Sequence, residues 1–473
     1  MLFGRRIIYS PYEQVSRENI VEILTQSLAL HLSNVDDMNY LMNYYRGIQP
    51  ILWREKTIRP EINNKIVENH ANSIVQFRTG YLLNRPIQYV ARKEEVNEDN
   101  VEFINDCMLM ENKETYDKEL ANYGAICGLG HRLCLPNFEY EDGESPFKIY
   151  KVDPRQAFVV YSMGIGNPAL LGVVIYDRKN DKGENELVCQ AWSKNEYFEW
   201  VKGEAEVRIE QPHIYDGIPL IEYPFNQDRI GAFELVVPLL DGINKLQSNR
   251  LDGVEQFIQA LLIFKNVDIS KNDLKELLEL GAIKIKDDGE VEANVEYLTK
   301  ELNQEQVQKL KDDMLEVVYK ICGMPLGKGG STGNSQGAVI MRDGWSEVEA
   351  KTQETELMFK KSEREFLKLA LRYTKIFTKN RVNVNANQLD IKFTRRNYEN
   401  TYQKALVLDM MLKNPKIAPR LAFEVCGLFS DVEQACEDSK IYYEEQLNLA
   451  QEKAQEQAQK QQEGRKQQWK LTP

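Results

Sequence analysis

The residues best suited to chemistry lie in a glycine-rich stretch, MPLGKGGSTGNSQGAVI, at positions 324–340. Glycines, a lysine and hydroxyl groups are the components of a phosphate-binding loop. That motif needs a glycine five residues before its Gly-Lys pair, and Ser or Thr after the lysine. Here Cys322 lies five residues before Gly327, and Gly329 follows Lys328. The preceding residues are typical of the end of a helix rather than of a buried strand, so the pattern disfavours a nucleotide site.

A second candidate is the group Cys127, His131 and Cys134 in CGLGHRLC, because thiolate and imidazole groups suit zinc. A fourth ligand is missing, and free cysteine is commonly buried, so the segment favours a strand with small buried residues. None of the four histidines lies in a HExxH or G-x-S-x-G pattern. The adjacent aspartate pairs are explained by solvated helix faces. We therefore expect no enzyme, no cofactor and no metal.

The bulk composition describes a soluble protein of several domains. The chain has 473 residues, of which 42% are hydrophobic and 28% charged, and this predicts two to four domains with cores. A formal net charge of -13 argues against wholesale wrapping of nucleic acid but permits a local basic patch. Seven scattered cysteines without a CxxC pair indicate reduced thiols. Since no apolar run is long enough, we expect neither a signal peptide nor a membrane span.

The first half of the chain has the pattern of an α+β body. Apolar spacing predicts helices over residues 17–45, 63–83 and 101–123. From about residue 124 to 225 the pattern changes to β-branched and aromatic runs between Gly, Pro and Asp turns, which predict strands.

Two helices with narrow apolar seams follow, over about 234–261 and 303–322. Arg250 interrupts the first seam, and two glycines, at 242 and 253, lie inside that helix. An interior glycine costs about 1 kcal/mol relative to alanine, so we expect close packing against a neighbour there. The insert between the helices, 263–300, contains a predicted hairpin with Asp288-Gly289 at its turn.

The C-terminal third is predicted to be largely helical. A long helix covers about 346–378, a short strand QLDIKFTRR follows, and helices resume from about 398. The last thirty residues are rich in Gln, Glu and Lys and predict a solvated helix or a disordered tail. The fold class expected is therefore mainly α, with a smaller α+β body.

This order of elements resembles that of the tailed-phage portal proteins of the SPP1 Gp6-like family, over roughly residues 40 to 445. The most specific segment is GIPLIEYPFNQDRIGAFELVVPLLDGINKLQSN at 217–249, which is similar to the family's Gly-x-Pro entry and stem helix. The final NSQGAVI of the glycine-rich stretch resembles an Asn-x-Ser-Gly motif with an extra Gln. Three further segments carry the resemblance: YYRGIQPILWREK at 44–56, NNKIVENHANSIVQFRTGYLLNRPIQY at 63–89 and IYKVDPRQAFVVY at 149–161.

The resemblance implies the portal fold, assembled as a ring of usually twelve subunits at one vertex of the virion capsid after assembly in the host cytoplasm. The implied partners are double-stranded DNA passing through the channel, the terminase large subunit, the head-tail connector, and the scaffolding and major capsid proteins, with no membrane. The implied regions are a wing at 1–233 and 346–397, stem helices at 234–262 and 301–322, a clip at 263–300, a tunnel loop within 323–345, and a crown with a Gln-rich tail at 398–473.

The resemblance also implies a channel surface that lets DNA slide, because an acidic channel repels phosphates. Glycine and serine give the implied tunnel loop many conformations of similar energy. Few basic side chains are then expected to face the channel. The candidates are Lys328, Ser331, Thr332, Asn334, Gln336 and Arg342 in the tunnel loop, Lys245, Arg250, Lys309 and Lys311 in the stem, and Lys284 and Lys286 in the clip.

Two other readings of the sequence remain open. One is a nucleotide hydrolase or nuclease that uses the stretch 324–336, and the other is a non-viral helical scaffold or adaptor. Nucleotide binding or turnover would favour the first, whereas a monomeric or dimeric particle would favour the second.

Overall fold

The computed structural model describes residues 4–92, 98–213, 216–258, 261–265, 294–298, 304–326, 344–394, 401–429 and 432–469. The protein is mixed α/β, with 50% helix and 18% strand. The α-helices within the described ranges are α1 Ile20–Tyr45, α2 His70–Leu82, α3 Glu98–Met110, α4 Lys113–Cys127, α5 Val237–Ile258, α6 Gln304–Cys322, α7 Trp345–Phe377, α8 Thr401–Leu412, α9 Pro419–Cys426 and α10 Val432–Trp469.

The strands form a six-stranded sheet, a three-stranded sheet and two strand pairs within the described ranges. The larger sheet has the order β1-β5-β6-β7-β8-β9, the smaller sheet β10-β3-β4, and the pairs are β11-β12 and β13-β2. Their bounds are β1 Ile8–Ser10, β2 Gln88–Ala91, β3 Leu129–Pro136, β4 Phe147–Val152, β5 Ala157–Ser162, β6 Ala169–Lys179, β7 Asn185–Trp192, β8 Glu196–Val201, β9 Ile209–Pro212, β10 Leu220–Pro224, β11 Leu261–Lys265, β12 Asn294–Leu298 and β13 Leu389–Lys392.

Most helices lie where the apolar spacing predicts them, but two predictions in the N-terminal half are wrong. The helix expected over 63–83 begins only at His70, because Asn69 caps it by accepting the Asn72 N–H at 3.3 Å. The residues before Asn69 instead donate to side chains of α5. The single helix expected over 101–123 is divided into α3 and α4 at Asn112, which has a left-handed backbone with φ of 53°.

Three buried apolar clusters form the main cores of the described chain. One places α1 against the six-stranded sheet, and another places α7 against the three-stranded sheet. The third joins α1, α2 and α4 to both seam helices, α5 and α6. The seam helices are thus continuous with the core of the body at one end, because their apolar seams pack into it.

A buried histidine of α1 lies against the six-stranded sheet, and its protonation would destabilise the folded state. His31 is 1% exposed, stacks on Phe158 at 4.6 Å between ring centroids, and its Nε2 lies 3.0 Å from the Arg155 carbonyl oxygen. Burial lowers the pKa of His31 to about 4, although the Arg155 carbonyl acts in the opposite direction.

Acidification is therefore expected to destabilise the fold through His31. The unfolded chain takes up the proton near pH 6.5, so the stabilisation is complete above that pH and is lost as the pH falls towards 4. Between pH 7.5 and pH 5 we expect a loss of about 2 kcal/mol in the free energy of unfolding. Urea denaturation of His31→Gln, which keeps a donor but does not titrate, should show a drop smaller by that amount. An unchanged drop would contradict the assignment.

Candidate functional site

Helices α5 and α6 are antiparallel and in direct contact. A Cβ built on Gly242 would lie 2.8 Å from the Met314 methyl carbon, so the close packing expected at this interior glycine is confirmed. Further along, Arg250 donates to the amide oxygens of Gln304 at 2.6 Å and Gln308 at 2.8 Å. The arginine that interrupts the apolar seam is accommodated by two polar residues of the facing helix.

The strand pair β11-β12 lies between α5 and α6 in the chain. Leu261 is opposite Leu298 and Lys265 opposite Asn294 in antiparallel register. The first seam helix therefore ends at Ile258, and the prediction that it reaches residue 261 is wrong. The predicted turn at Asp288-Gly289 lies outside the described residues.

The near end of α5 is anchored to the body by a buried carboxylate. Glu234, which is 0% exposed, accepts the N–H groups of Gly4 and Gly231, each at 2.9 Å, and forms an ion pair with Arg5 at 2.5 Å. Three donors from two distant parts of the chain thus meet on one side chain. The carboxylate fixes the point at which the body ends and α5 begins.

Two glycines allow backbone segments to pass close together at the junction between the body and α5. A Cβ on Gly128 would lie 1.9 Å from the Arg229 carbonyl oxygen, and one on Gly231 would lie 2.5 Å from that of Ile126. Gly128 also has a φ of 88°, in the left-handed region. Both approaches are to backbone atoms, which cannot rotate away, so only glycine fits.

The glycine-rich stretch leaves one helix and enters another. Helix α6 ends at Cys322, and Gly323 follows with a φ of 63°, while the Met324 N–H donates to the Tyr319 carbonyl at 2.8 Å. This is the glycine-terminated helix end known as a Schellman motif. The prediction that the stretch follows a helix is confirmed, and a phosphate-binding loop would instead follow a strand. Residues 327–343 themselves lie outside the described residues.

Helix α2 contacts the first turns of α7, and α7 in turn contacts the end of α6. On the α7 side, Trp345 packs on Phe77 at 6.2 Å and Tyr81 at 5.9 Å between ring centroids. Lys351 of α7 donates to the Lys320 carbonyl of α6 at 3.3 Å, and Arg78 of α2 donates to the Lys351 carbonyl at 3.2 Å. The two helices that flank the stretch are therefore joined to each other and to α2.

A buried network of charges fixes α7 on the body. The carboxylate of Glu363 lies 2.8 Å from the Lys113 ammonium and 2.9 Å from the Arg132 guanidinium, and Asp117 pairs with both cations. All four side chains are at most 4% exposed. Burial would raise the pKa of Glu363, but the two cations lower it to about 2. Tyr223 also donates to Glu363 at 2.8 Å.

This network and the Arg5–Glu234 pair were missed by sequence reasoning. For Glu363 a signal exists, because it interrupts the apolar face of α7 between Phe359 and Phe366, both of which are buried. A charged residue within an apolar stripe needs a buried partner of opposite charge. For Arg5 and Glu234 the local pattern carries no comparable signal.

Four of the predicted channel residues lie among the described residues. Lys245 and Lys309 are exposed, whereas Arg250 binds the two glutamines of α6. Lys311 forms a 2.6 Å ion pair with Glu68. The other candidates lie outside the described residues: Lys284, Lys286, Lys328, Ser331, Thr332, Asn334, Gln336 and Arg342.

The candidate zinc ligands are core residues. Cys127 ends α4, while His131 and Cys134 belong to β3, and all three are buried. Burial raises the pKa of the Cys127 thiol to about 12 and lowers that of His131 to about 3. Over the described ranges, no group of His, Cys, Asp or Glu has the arrangement needed to hold a metal ion.

None of the described helices is long and apolar enough to cross a membrane.

Comparison with known proteins identifies the family. The chain is 20% identical over 291 residues to the portal protein of Bacillus phage SPP1, a match that covers 57% of this chain and 56% of that relative. The model of the family described as "Phage portal protein, SPP1 Gp6-like" matches residues 26–465, so this chain belongs to the SPP1 Gp6-like family of phage portal proteins.

Proposed function

We propose that copies of this chain form a closed ring, of twelve subunits in the virion, at the portal vertex of a phage capsid. The observation that carries the proposal is the antiparallel pair α5 and α6, which extends from the body core and presents apolar side chains outward. Leu310, Val317 and Ile321 of α6 are 51%, 46% and 39% exposed in the single chain. Copies arranged side by side would cover these side chains, and a ring does so without leaving an unpaired end.

In this proposal DNA is packaged and ejected through the hole of the ring. Helices α5 and α6 are the stem that lines it, the insert 263–300 is the clip, and the stretch within 323–345 is the tunnel loop. Residues 1–233 and 346–397 are the wing, and 398–473 form the crown and its tail. Two buried ion pairs support this division, because Arg5–Glu234 anchors the start of the stem to the body and Arg132–Glu363 holds α7 within the body as part of the wing.

The proposed partners follow from the position of the ring. The terminase large subunit and later the head-tail connector would dock on the exposed end of the ring, and scaffolding and major capsid proteins would surround it. The protein would assemble in the host cytoplasm and remain in the virion. We assign no catalytic step to the chain, since helices flank the glycine-rich stretch on both sides.

Particle mass and shape test this function. Electron microscopy and native mass spectrometry of the purified protein are expected to show closed rings with a central hole. A nucleotide-binding assay on the same sample is expected to be negative. Monomers or dimers at every concentration would contradict the ring, and nucleotide turnover would favour an enzyme.

Neutralising an exposed stem lysine is expected to alter DNA packaging while leaving the ring intact. Lys245 and Lys309 are exposed, so Lys245→Gln and Lys309→Gln should change stability by less than about 0.5 kcal/mol. Lys311→Gln is the contrasting variant, because it removes the ion-pair partner of Glu68 and should cost about 1 kcal/mol. Packaging yield and ring content would be measured together. Loss of rings in an exposed-lysine variant would show that the lysine lies at a subunit contact instead.

A further inference from the structure

Residues 46–65, here called the arm, cover one side of α5. The arm and the residues just after it are fixed by hydrogen bonds to a row of α5 side chains. Asn244 donates to Gln49 at 2.5 Å, Ser248 accepts the Ile66 N–H at 3.0 Å, and Asp252 accepts the Asn64 N–H at 2.8 Å. The arm is thus bound to α5 near both of its ends.

Helix α6 covers nearly the opposite side of α5. Its contacts are with Gly242 and Arg250, whereas the arm is bound through positions 244, 248 and 252. At about 100° per residue, the centres of these two faces are about 160° apart around the helix. Each subunit therefore presents the arm on one side of α5 and α6 on the other.

The arm exposes large apolar side chains. Trp53 is 65% exposed and Ile58 is 80% exposed, and two smaller contributions come from Ile48 at 44% and Leu52 at 36%. Exposed apolar residues that are scattered singly need no explanation, whereas four within eleven residues of one segment point to an interaction site.

Helix α6 exposes a second apolar surface, here called the α6 flank, formed by Leu310, Val317 and Ile321. These residues are seven and four positions apart, so they lie on one side of the helix, about 100° from the row that includes the buried Val318. The flank is separate from the side on which Lys311 contacts Glu68.

The charges of the two surfaces are complementary. Arg54 and Lys56 of the arm pair with Asp252 of α5, which leaves the arm three basic and two acidic residues. Lys311 of α6 pairs with Glu68, which leaves α6 four acidic residues, all exposed, and two basic ones. Opposite charges at the rim of an apolar contact favour association in one orientation.

We propose that the arm of one subunit packs on the α6 flank of the next, with Trp53 seated over Val317. This inference rests on the proposed function and names the surfaces through which the ring closes. Two different surfaces on opposite sides of one helix give a head-to-tail contact, which forms a closed ring when the rotation between subunits closes and does not form a two-fold dimer. The occupant of each surface is therefore a second copy of this chain.

Cross-linking of a double-cysteine variant tests the pairing directly. Six of the seven native cysteines are buried and Cys436 is half-buried, so exposed positions beside the contact, Thr57→Cys in the arm and Asp313→Cys one turn before Val317, would be combined in a Cys436→Ser background that keeps Trp53 and Val317. With a short bismaleimide, denaturing gels should show a ladder of dimers, trimers and larger species for the double variant only. Each single variant should remain monomeric on the gel.

The outcomes separate this pairing from the proposed function. Rings seen by electron microscopy without the ladder would overturn the pairing alone, as would a ladder that stops at dimers. A parent protein that forms no rings would overturn the proposed function and the pairing together.

Truncation of the arm provides a second, independent measurement. Trp53→Ala is expected to lower the ring fraction roughly tenfold or more at matched concentration, because buried interface aromatics dominate association. Phe138→Ala is the control, since Phe138 is 68% exposed but lies outside the arm and the α6 flank. Circular dichroism should be unchanged in both variants. Equal ring fractions for the two would overturn the pairing.

Discussion

Replacing Glu363 with glutamine is expected to lower the free energy of unfolding by about 3–5 kcal/mol, because it leaves a buried cation without its counter-charge. Lys113 and Arg132 would then share only Asp117 in a site where the four side chains are at most 4% exposed. Urea denaturation followed by tryptophan fluorescence would measure the loss. The matched control is Glu365→Gln on the same helix, whose ion pair with Lys368 is exposed and worth less than about 1 kcal/mol.

The same network predicts a partial rescue. Lys113→Met combined with Glu363→Gln removes one charge of each sign and leaves the Arg132–Asp117 pair intact. The loss in the free energy of unfolding of the double variant should therefore be smaller than the sum of the two single losses by about 2 kcal/mol. Additive losses in the double-mutant cycle would show that the network contributes through packing and not through charge balance.

The second large effect is expected at Gly128, where alanine should cost about 4 kcal/mol or more and prevent the junction from forming. The residue has a φ of 88°, and its Cβ would lie 1.9 Å from the Arg229 carbonyl oxygen. Neither the clash nor the left-handed backbone can be relieved without moving the loop that leads into α5. We expect a low soluble yield and, in any protein recovered, a lower melting temperature and no rings.

Gly143→Ala isolates the backbone contribution of this substitution. Gly143 has a φ of 101° and nothing within 4 Å of its Cβ position, so only the left-handed strain of about 1–2 kcal/mol applies. The difference between the two variants measures the close approach at the junction. Equal effects at both positions would mean that the 128–229 contact is not needed to position α5.

Local sequence patterns were sufficient to predict the helices on which the proposed function depends. Helices α1, α5, α6 and α7 occur where the apolar spacing predicts them. Each helix buries one stripe of apolar side chains, and the spacing of those residues along the chain has the helical period. The order of two seam helices around an insert, followed by a glycine-rich stretch and a long helix, indicated the portal family together with the five segments that resemble it. The family match over residues 26–465 confirms that assignment.

The errors occurred where polar side chains override periodicity. Ile66 continues the apolar spacing of α2, but the Ile66 N–H donates to Ser248 of α5. The helix therefore begins only after the cap residue Asn69. Asn112 likewise interrupts a continuous helical pattern through its left-handed backbone. A contact between residues 182 positions apart cannot be read from a window of local sequence.

The sequence by itself indicated the family through segments that resemble the SPP1 Gp6-like proteins. It also determined the element order and the two seam helices, because helical periodicity and glycine placement are local properties of the chain. Only the tertiary structure decided that Arg250 and Lys311 are bound within the fold, that Lys245 and Lys309 are exposed, and that Glu363 is buried between two cations. Whether a charge is free or paired depends on which distant segment folds against it. The arm and the α6 flank became visible as surfaces for the same reason, since exposure is a property of the packed chain.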